Sequence, residues 1–304
     1  MRIIKHLTAC AAAAVALAAI PACAQKAPAP APTAPADADP ALWIVKDDDT
    51  TVYLFGTVHV LKPGMTWFDE AVKTAFDRSD QLVLEIQMPD DATAQRLFLS
   101  KGMNPTGPTL TEQIPADKRA AVTKALTDIG LPQQAYDRMK PWLAALLATQ
   151  APLQKLGYDA TNGPEKVLTA AAKSAGKQVG ALETVEQQLG FFDALPAAAQ
   201  VTFLTSGVEQ LPKLPELMGR MVDVWAKGDP QGLAKIMNDN LDDSPELAKT
   251  LLTDRNKNWA QWIDKRMDQP GTVFVAVGAG HLAGADAVQE QLKAYKLNAV
   301  RVKY

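Results

Sequence analysis

The run Thr272-Val-Phe-Val-Ala-Val277, apolar after its first residue and leading straight into Gly278, constrains the fold most. It is short, β-branched and aromatic, which suits a strand covered on both faces. Such a strand cannot stand alone. It needs a sheet with layers packed on both sides, which points to an α/β chain.

The remaining pattern agrees. Leu42-Trp-Ile-Val45, a turn at Lys46 to Asp49 and Thr50 to Phe55 read as a hairpin, with Gly56 ending the second strand. Helical spacing at Phe68, Ala71, Val72 and Ala75 leads to a strand at Gln81 to Ile86, completing a β-α-β unit. From Asp117 to about Gly157 the chain reads as several helices broken at Gly130-Leu-Pro132 and Lys140-Pro141. A helix from Pro164 to Ala175, a strand at Gln178 to Leu182 and further helices to about Met267 follow. A last helix at Ala285 to Tyr295 and a strand at Ala299 to Val302 close the chain. The expectation is a central, mostly buried β-sheet surrounded by helices, with a helix-rich middle section.

The first residues set the location. Arg2 and Lys5, an apolar run from Leu7 to Ile20 and the small residues Ala22-Cys23-Ala24 form the pattern of a secretory signal over residues 1–24. Ala22-x-Ala24 suits ordinary cleavage, whereas Ile20-Pro-Ala-Cys23 resembles a lipobox that would acylate Cys23, so periplasmic and lipid-anchored forms both fit. Residues 25–40, rich in Ala and Pro, read as an extended tether, and the domain is expected over 41–304. The only cysteines, Cys10 and Cys23, lie in the signal, so the domain has neither a disulfide nor a thiol nucleophile. Loss of Arg2 and Lys5 leaves 29 basic against 34 acidic residues, which argues against nucleic acid as a partner and against an electrostatic grip on anionic lipid. No membrane-spanning segment is expected after processing.

Histidine usage carries the chemistry. Of three histidines, His6 lies in the signal, while His59 and His281 each stand three residues after a strand-end glycine, Gly56 and Gly278. Strand ends are where open α/β sheets bind ligands, and glycine there permits a tight turn and close approach. Glu85, in an apolar strand, needs a cation, a metal or hydrogen-bond donors if it is buried. Two imidazoles and a carboxylate suit a borderline divalent ion such as Mn, Co or Zn, whose bound water would be the nucleophile. Each residue also has an ordinary reading, as a hydrogen-bonded strand-end histidine or as the partner of a buried arginine. A dinucleotide loop at Gly278-Ala-Gly280 is excluded because too little chain follows it. No G-x-S-x-G elbow, H-E-x-x-H helix or G-x-x-x-x-G-K-[ST] loop is present.

Val52-Tyr-Leu-Phe-Gly-Thr-Val-His59, Leu84-Glu85, Gly176-Lys-x-Val179, Leu182-Glu-Thr-x-Glu-x-Gln-Leu189, Arg255-Asn256 with Trp259, and Val277-Gly-Ala-Gly-His-Leu-Ala-Gly284 occur in that order. As a set they resemble the TraB/PrgY/GumN family, related to the Tiki proteases, from Leu42 through Val302. The resemblance implies an α/β fold that brings the two Gly-x-x-His motifs together with Glu85, and divalent-metal-dependent hydrolysis of peptides or other small substrates. It makes His59, Glu85 and His281 the metal and catalytic candidates, with Arg255, Glu183, Asn256, Gly56 and Gly278 around the substrate or behind those ligands. Arg255 would pair with a core carboxylate, clamp a substrate carboxylate or orient Glu85. A protein that sequesters a peptide or ligand without cleaving it is the alternative the same family allows. Two departures stand out: Gly163-Pro-Glu165 where the family has a glycine, an apolar residue and an acid, and Lys296 in place of a glycine.

Overall fold

The computed structural model describes residues 36–241 and 245–304; the signal segment and most of the tether lie outside them. In chain order the strands are β1 (Ala36–Asp37), β2 (Leu42–Lys46), β3 (Thr50–Thr57), β4 (Met65–Thr66), β5 (Gln81–Leu84), β6 (Gln178–Ala181), β7 (Gly271–Gly278) and β8 (Val300–Arg301). Six of them form one mixed sheet in the order β6-β5-β7-β3-β2-β8. The three expected strands at Thr50, Gln81 and Thr272 are thus neighbours. The pairs β6-β5, β5-β7 and β7-β3 are parallel, and β2 pairs antiparallel with β3 and β8.

Alternation along the strands fills two cores. Phe274 and Ala276 face Phe55, Leu82, Trp67 and Phe76 on one side, whereas Val273, Val275 and Val277 face Leu54, Trp259 and Ile263 on the other. Full burial of one such aromatic is worth about 1.5–3 kcal/mol, so the alternating register is strongly specified. The helices Asp91–Gly102, Ala116–Asp128, Pro141–Lys155, Val185–Asp193 and Ala197–Gln210 gather around Trp142, Leu143 and Leu204 in a further core.

Several boundaries differ from the sequence reading. Ala36–Asp37 is not part of an extended tether but pairs in parallel with β4, and Ala38 beside it is buried. The helix Asp91–Gly102 escapes the periodic pattern because it buries only Ala94, Phe98 and Gly102 and leaves Leu99 exposed; Asp90 caps it by accepting from the Thr93 N–H at 3.0 Å. β5 ends at Leu84, so Glu85 is the first residue beyond the strand rather than inside it. The last helix shrinks to Val288–Gln291 with a 3-10 turn at Leu292–Tyr295, since Gly284 is left-handed (φ 81°) and the Asp286 carbonyl is taken by Asn256. Lys296 adopts φ 60°, the left-handed conformation for which the family's glycine is suited.

The register of β3 on β7 matters most for function. Gly56 lies opposite Val277 and Thr57 opposite Gly278, so both motifs leave the sheet side by side at its carboxyl edge.

Candidate functional site

Four adjacent parallel strands deliver one polar residue each to that edge. Glu183 follows β6 by two residues, Glu85 follows β5 by one, His281 follows β7 by three and His59 follows β3 by two. Carboxyl ends of parallel strands are where such sheets place ligands. The expected convergence is therefore a matter of register and strand length rather than of loop geometry.

Arg255 occupies the middle. It rises from the helix Asp254–Met267, directly after a π-helical segment at Lys249–Thr253, an irregularity frequent at functional sites. Its Nη2 donates to Glu85 Oε2 at 2.7 Å and to Glu183 Oε2 at 2.9 Å, Nε donates to Glu183 Oε1 at 3.0 Å, and Nη1 lies 3.1 Å from His281 Nε2. Gln188 donates to Glu85 Oε2 and Glu183 Oε2, and Trp259 Nε1 donates to Glu183 Oε1 at 2.8 Å. Glu183 is therefore saturated and faces Arg255, whereas Glu85 keeps Oε1 toward the other residues. That oxygen accepts the Gly278 N–H at 2.5 Å and lies 3.8 Å from His281 Nε2.

The two histidines are held differently. His281 donates from Nδ1 to Asn256 Oδ1 at 2.6 Å, and Asn256 is itself oriented by donating to the Asp286 carbonyl at 2.8 Å. Burial, and then the charge of Arg255, push the His281 pKa down to about 3 against the attraction of Glu85. Nε2 therefore carries a lone pair directed at Arg255. His59 instead donates from Nδ1 to Glu165 Oε1 at 2.7 Å, and Thr57 Oγ1 donates to the same oxygen at 2.5 Å. Burial opposes charge on His59, but Glu165, with a further contribution from Glu85, outweighs it and raises the pKa to about 9. At neutral pH His59 is an imidazolium whose second N–H, on Nε2, is left for a ligand.

Glu85 is raised by burial, but Arg255 chiefly, then the histidines and the Gly278 N–H, hold it well below the usual carboxylate range. Glu165 opens the helix Pro164–Ser174, where the dipole favours an anion, and the charge of His59 lowers its pKa despite burial. A Cβ on Gly163 would lie 2.2 Å from the His59 carbonyl, so only glycine lets this helix start reach the first motif.

The strand-end glycines serve space rather than turning. Neither Gly56 nor Gly278 is left-handed. A Cβ on Gly278 would stand 3.0 Å from Glu85 Oε1 and 3.1 Å from His59 Nε2, so those two atoms are at most 6.1 Å apart across it. A Cβ on Gly56 would instead meet Ala279 at 3.1 Å, and the Gly56 carbonyl accepts from Trp225 at 2.7 Å. Gly278 thus borders the cluster, and Gly56 packs behind it.

His59, Glu85, Arg255, Gly278 and His281 line one cavity of about 380 Å³, together with Gln188. Asn256 and Glu183 stand behind it as the partners of His281 and Arg255. Glu165, named in the sequence only as the acid of the Gly163-Pro-Glu165 departure from the family pattern, was not among the candidate site residues.

The donor set meets the needs of a divalent ion only in part. Both imidazoles hold Nδ1 on a side-chain acceptor, as metal-binding histidines do, but Nε2 of His281 is taken by Arg255 and Nε2 of His59 carries a proton. Arg255, however, fills the space between Glu85 and His281 with its own positive charge. Among the described residues no group of three or more His, Cys, Asp or Glu side chains is arranged to hold an ion. As arranged, the cluster does not fit a metal.

The chain resembles known proteins over most of its length. The family model described as TraB/PrgY/gumN matches residues 41–300. An uncharacterized protein of Treponema pallidum (strain Nichols) is 20% identical over 274 residues, covering 84% of this chain and 80% of the relative. Metalloprotease TIKI1 of Xenopus tropicalis is 25% identical over 314 residues, and the match covers 84% of this chain but only 60% of the metalloprotease. No solved structure matches the chain.

Proposed function

Because this chain belongs to the TraB/PrgY/gumN family, we propose that it is an exported hydrolase that cleaves an amide or related carbonyl bond, as in a peptide, at the cluster of His59, Glu85, Arg255 and His281. The observation that carries this reading is the convergence of charged and imidazole groups from adjacent strand ends on one cavity. The distant likeness to a protein titled a metalloprotease supports the hydrolytic class.

The roles follow from the hydrogen bonds. A substrate carbonyl oxygen would accept from the outward N–H of His59, with the Arg255 guanidinium nearby as negative charge builds on it. Glu85 Oε1, facing His59 across Gly278, would hold the attacking water and take its proton. The water oxygen bonds to the carbonyl carbon, and Glu85, whose charged neighbours make it a strong acid once protonated, passes the proton it took to the amide nitrogen as the C–N bond breaks. Glu165 keeps the His59 imidazole charged and oriented on the carbonyl oxygen throughout.

Metal dependence is a second reading, favoured by the name of the Xenopus relative and by the side-chain acceptors that hold both Nδ1 atoms. A Mn, Co or Zn ion held by His59, His281 and Glu85 would have to displace Arg255. Location outside the cytoplasm rests on residues 1–24, and no described helix is long and apolar enough to cross a membrane.

One set of measurements separates the readings. The purified protein is assayed on a peptide library and on acyl amides, with chelator and with each ion added, beside Glu85→Gln and measured metal content. Turnover that survives chelation and vanishes in Glu85→Gln is expected. Turnover that requires a stoichiometric ion establishes the metal-dependent form, and tight ligand binding without turnover assigns a sequestering role.

A further inference from the structure

The cavity is far larger than the polar cluster needs. Its volume of about 380 Å³ falls in the range of small-molecule sites, and protein interiors do not otherwise keep apolar voids of that size. The charged residues that touch it outside the cluster, Asp91, Asp159 and Lys166, are exposed and mark its rim. The inner walls are Leu146, Phe192, Phe203, Leu214, Met218 and Met221, all buried hydrophobics. The hydroxyl of Thr149, on the same wall, is spent on the carbonyls of Ala145 and Leu146 in its own helix.

This apolar wall is continuous with both motifs. Val60, next to His59, and Ala279, next to Gly278, pack against the cluster of Tyr158, Leu214, Met218 and Met221. The space that a Cβ on Gly280 would need is filled by the Met237 methyl, 2.4 Å from that position, one residue from His281. Thioether side chains yield to the shape of what lies against them.

The walls offer a peptide no strand to pair with. They come from the helices Pro141–Lys155, Val185–Asp193, Ala197–Gln210, Leu214–Ala226 and Pro230–Leu241, whose main-chain groups are largely bonded within each helix. An extended peptide entering here would find no strand edge to pair with and would leave its own amides unsatisfied, at a cost of roughly 1–3 kcal/mol each. A hydrocarbon chain carries no such groups.

We propose that the substrate is an amide or ester bearing a linear hydrocarbon chain, with the scissile carbonyl at the polar cluster and the chain along the helical walls. This rests on the hydrolytic reading for the word substrate, but the apolar subsite can be tested without turnover. Butanamide, hexanamide and octanamide serve as probes that present the carbonyl and the chain alone. Their affinities for the purified protein are measured by calorimetry, beside Gly207→Leu and Gly207→Ala. Gly207 lines the cavity on the helix Ala197–Gln210, and a Cβ there meets only Thr149, at 3.7 Å, so a side chain enters without a backbone clash.

The expected result is affinity rising about fourfold per methylene, the value of burying one CH₂. Gly207→Leu should weaken octanamide at least tenfold and butanamide less than twofold, with Gly207→Ala in between. Affinity independent of chain length, or no binding of any of the three, overturns the proposal. If Gly207→Leu fails to fold by circular dichroism, the chain-length series on the natural protein decides alone. A protein that binds octanamide but hydrolyses nothing keeps the subsite and loses the hydrolase; one that cleaves short peptides but ignores chain length does the reverse.

Discussion

His59 and His281 leave the carboxyl ends of neighbouring strands through the same four-residue pattern, yet at neutral pH one is an imidazolium and the other a neutral imidazole. The backbone delivers both rings to one place, and the second partner of each ring sets its charge. For His59 that partner is the carboxylate of Glu165, while His281 meets the amide of Asn256 and the guanidinium of Arg255. A motif therefore positions a histidine without assigning its chemistry. Here the repeated pattern supplies one charged donor and one oriented lone pair, which two identical environments would not.

Arg255→Met breaks the comparison most severely. It removes the cation that depresses His281 and leaves Glu85 and Glu183 buried without their shared counter-charge. Breaking a buried pair by removing one partner costs about 3–5 kcal/mol, to be read as a fall in the urea midpoint. By imidazole NMR the His281 pKa should climb from about 3, since Arg255, which after burial depresses it most, is gone. An unchanged midpoint would mean that the arginine is not the hub of the cluster.

The pH dependence of stability sharpens the same contrast, because the two rings pull in opposite directions. His59 is raised above 6.5, so its contribution is present in full below that pH and is lost as pH rises through about 9. His281 is lowered, so its contribution is present above 6.5 and lost as pH falls toward 3. Each arm amounts to about 3–5 kcal/mol for shifts of this size. Urea midpoints at pH 4, 7 and 9.5 should fall on both sides; His59→Gln should flatten the alkaline arm and His281→Gln the acid arm. The same arm flattening in both variants would contradict the assignment.

Glu165→Gln makes the two environments alike, since both histidines would then donate to a neutral amide. The His59 pKa should drop below 6.5, because burial is no longer opposed by its main counter-charge. Turnover at neutral pH should fall roughly 10–100-fold, as when the partner of a working histidine is removed. His281 should keep its low pKa. Rescue of turnover at lower pH, where His59 regains its proton, would distinguish loss of charge from loss of position.

The sequence shows where two of the strands end because their apolar runs stop at Gly56 and Gly278, whereas the strand at Gln81 read through Glu85 to Ile86 and ends at Leu84. Only three histidines in the chain made the two motifs visible. What was hidden lies in pairings that no local pattern encodes. Glu165 reads as one more acid at a helix start, and its bond to His59 spans 106 positions. The role of Arg255 between Glu85 and Glu183 follows from a helix laid across strand ends 170 and 72 positions away. The motif glycines were legible as close approaches but not as unequal ones, since that depends on what lies opposite each missing Cβ.

That inequality yields the smallest expected effect. Gly278→Ala would place a methyl 3.0 Å from Glu85 Oε1 and 3.1 Å from His59 Nε2, both ends of side chains. These can swing aside with little loss of stability, but the movement separates the groups that must meet the substrate. The expected result is a thermal midpoint within a few degrees of the natural protein, about 1 kcal/mol or less, and turnover down roughly tenfold. Gly56→Ala presses its methyl against the backbone and Cβ of Ala279, which are fixed between β7 and the turn carrying His281. Backbone cannot yield as a side chain does, so this variant should lose about 1–2 kcal/mol while turnover below its melting range changes less than threefold. If Gly56→Ala abolished turnover and Gly278→Ala left it intact, the cavity-facing and packing-facing sides of the two motifs would have been assigned the wrong way round.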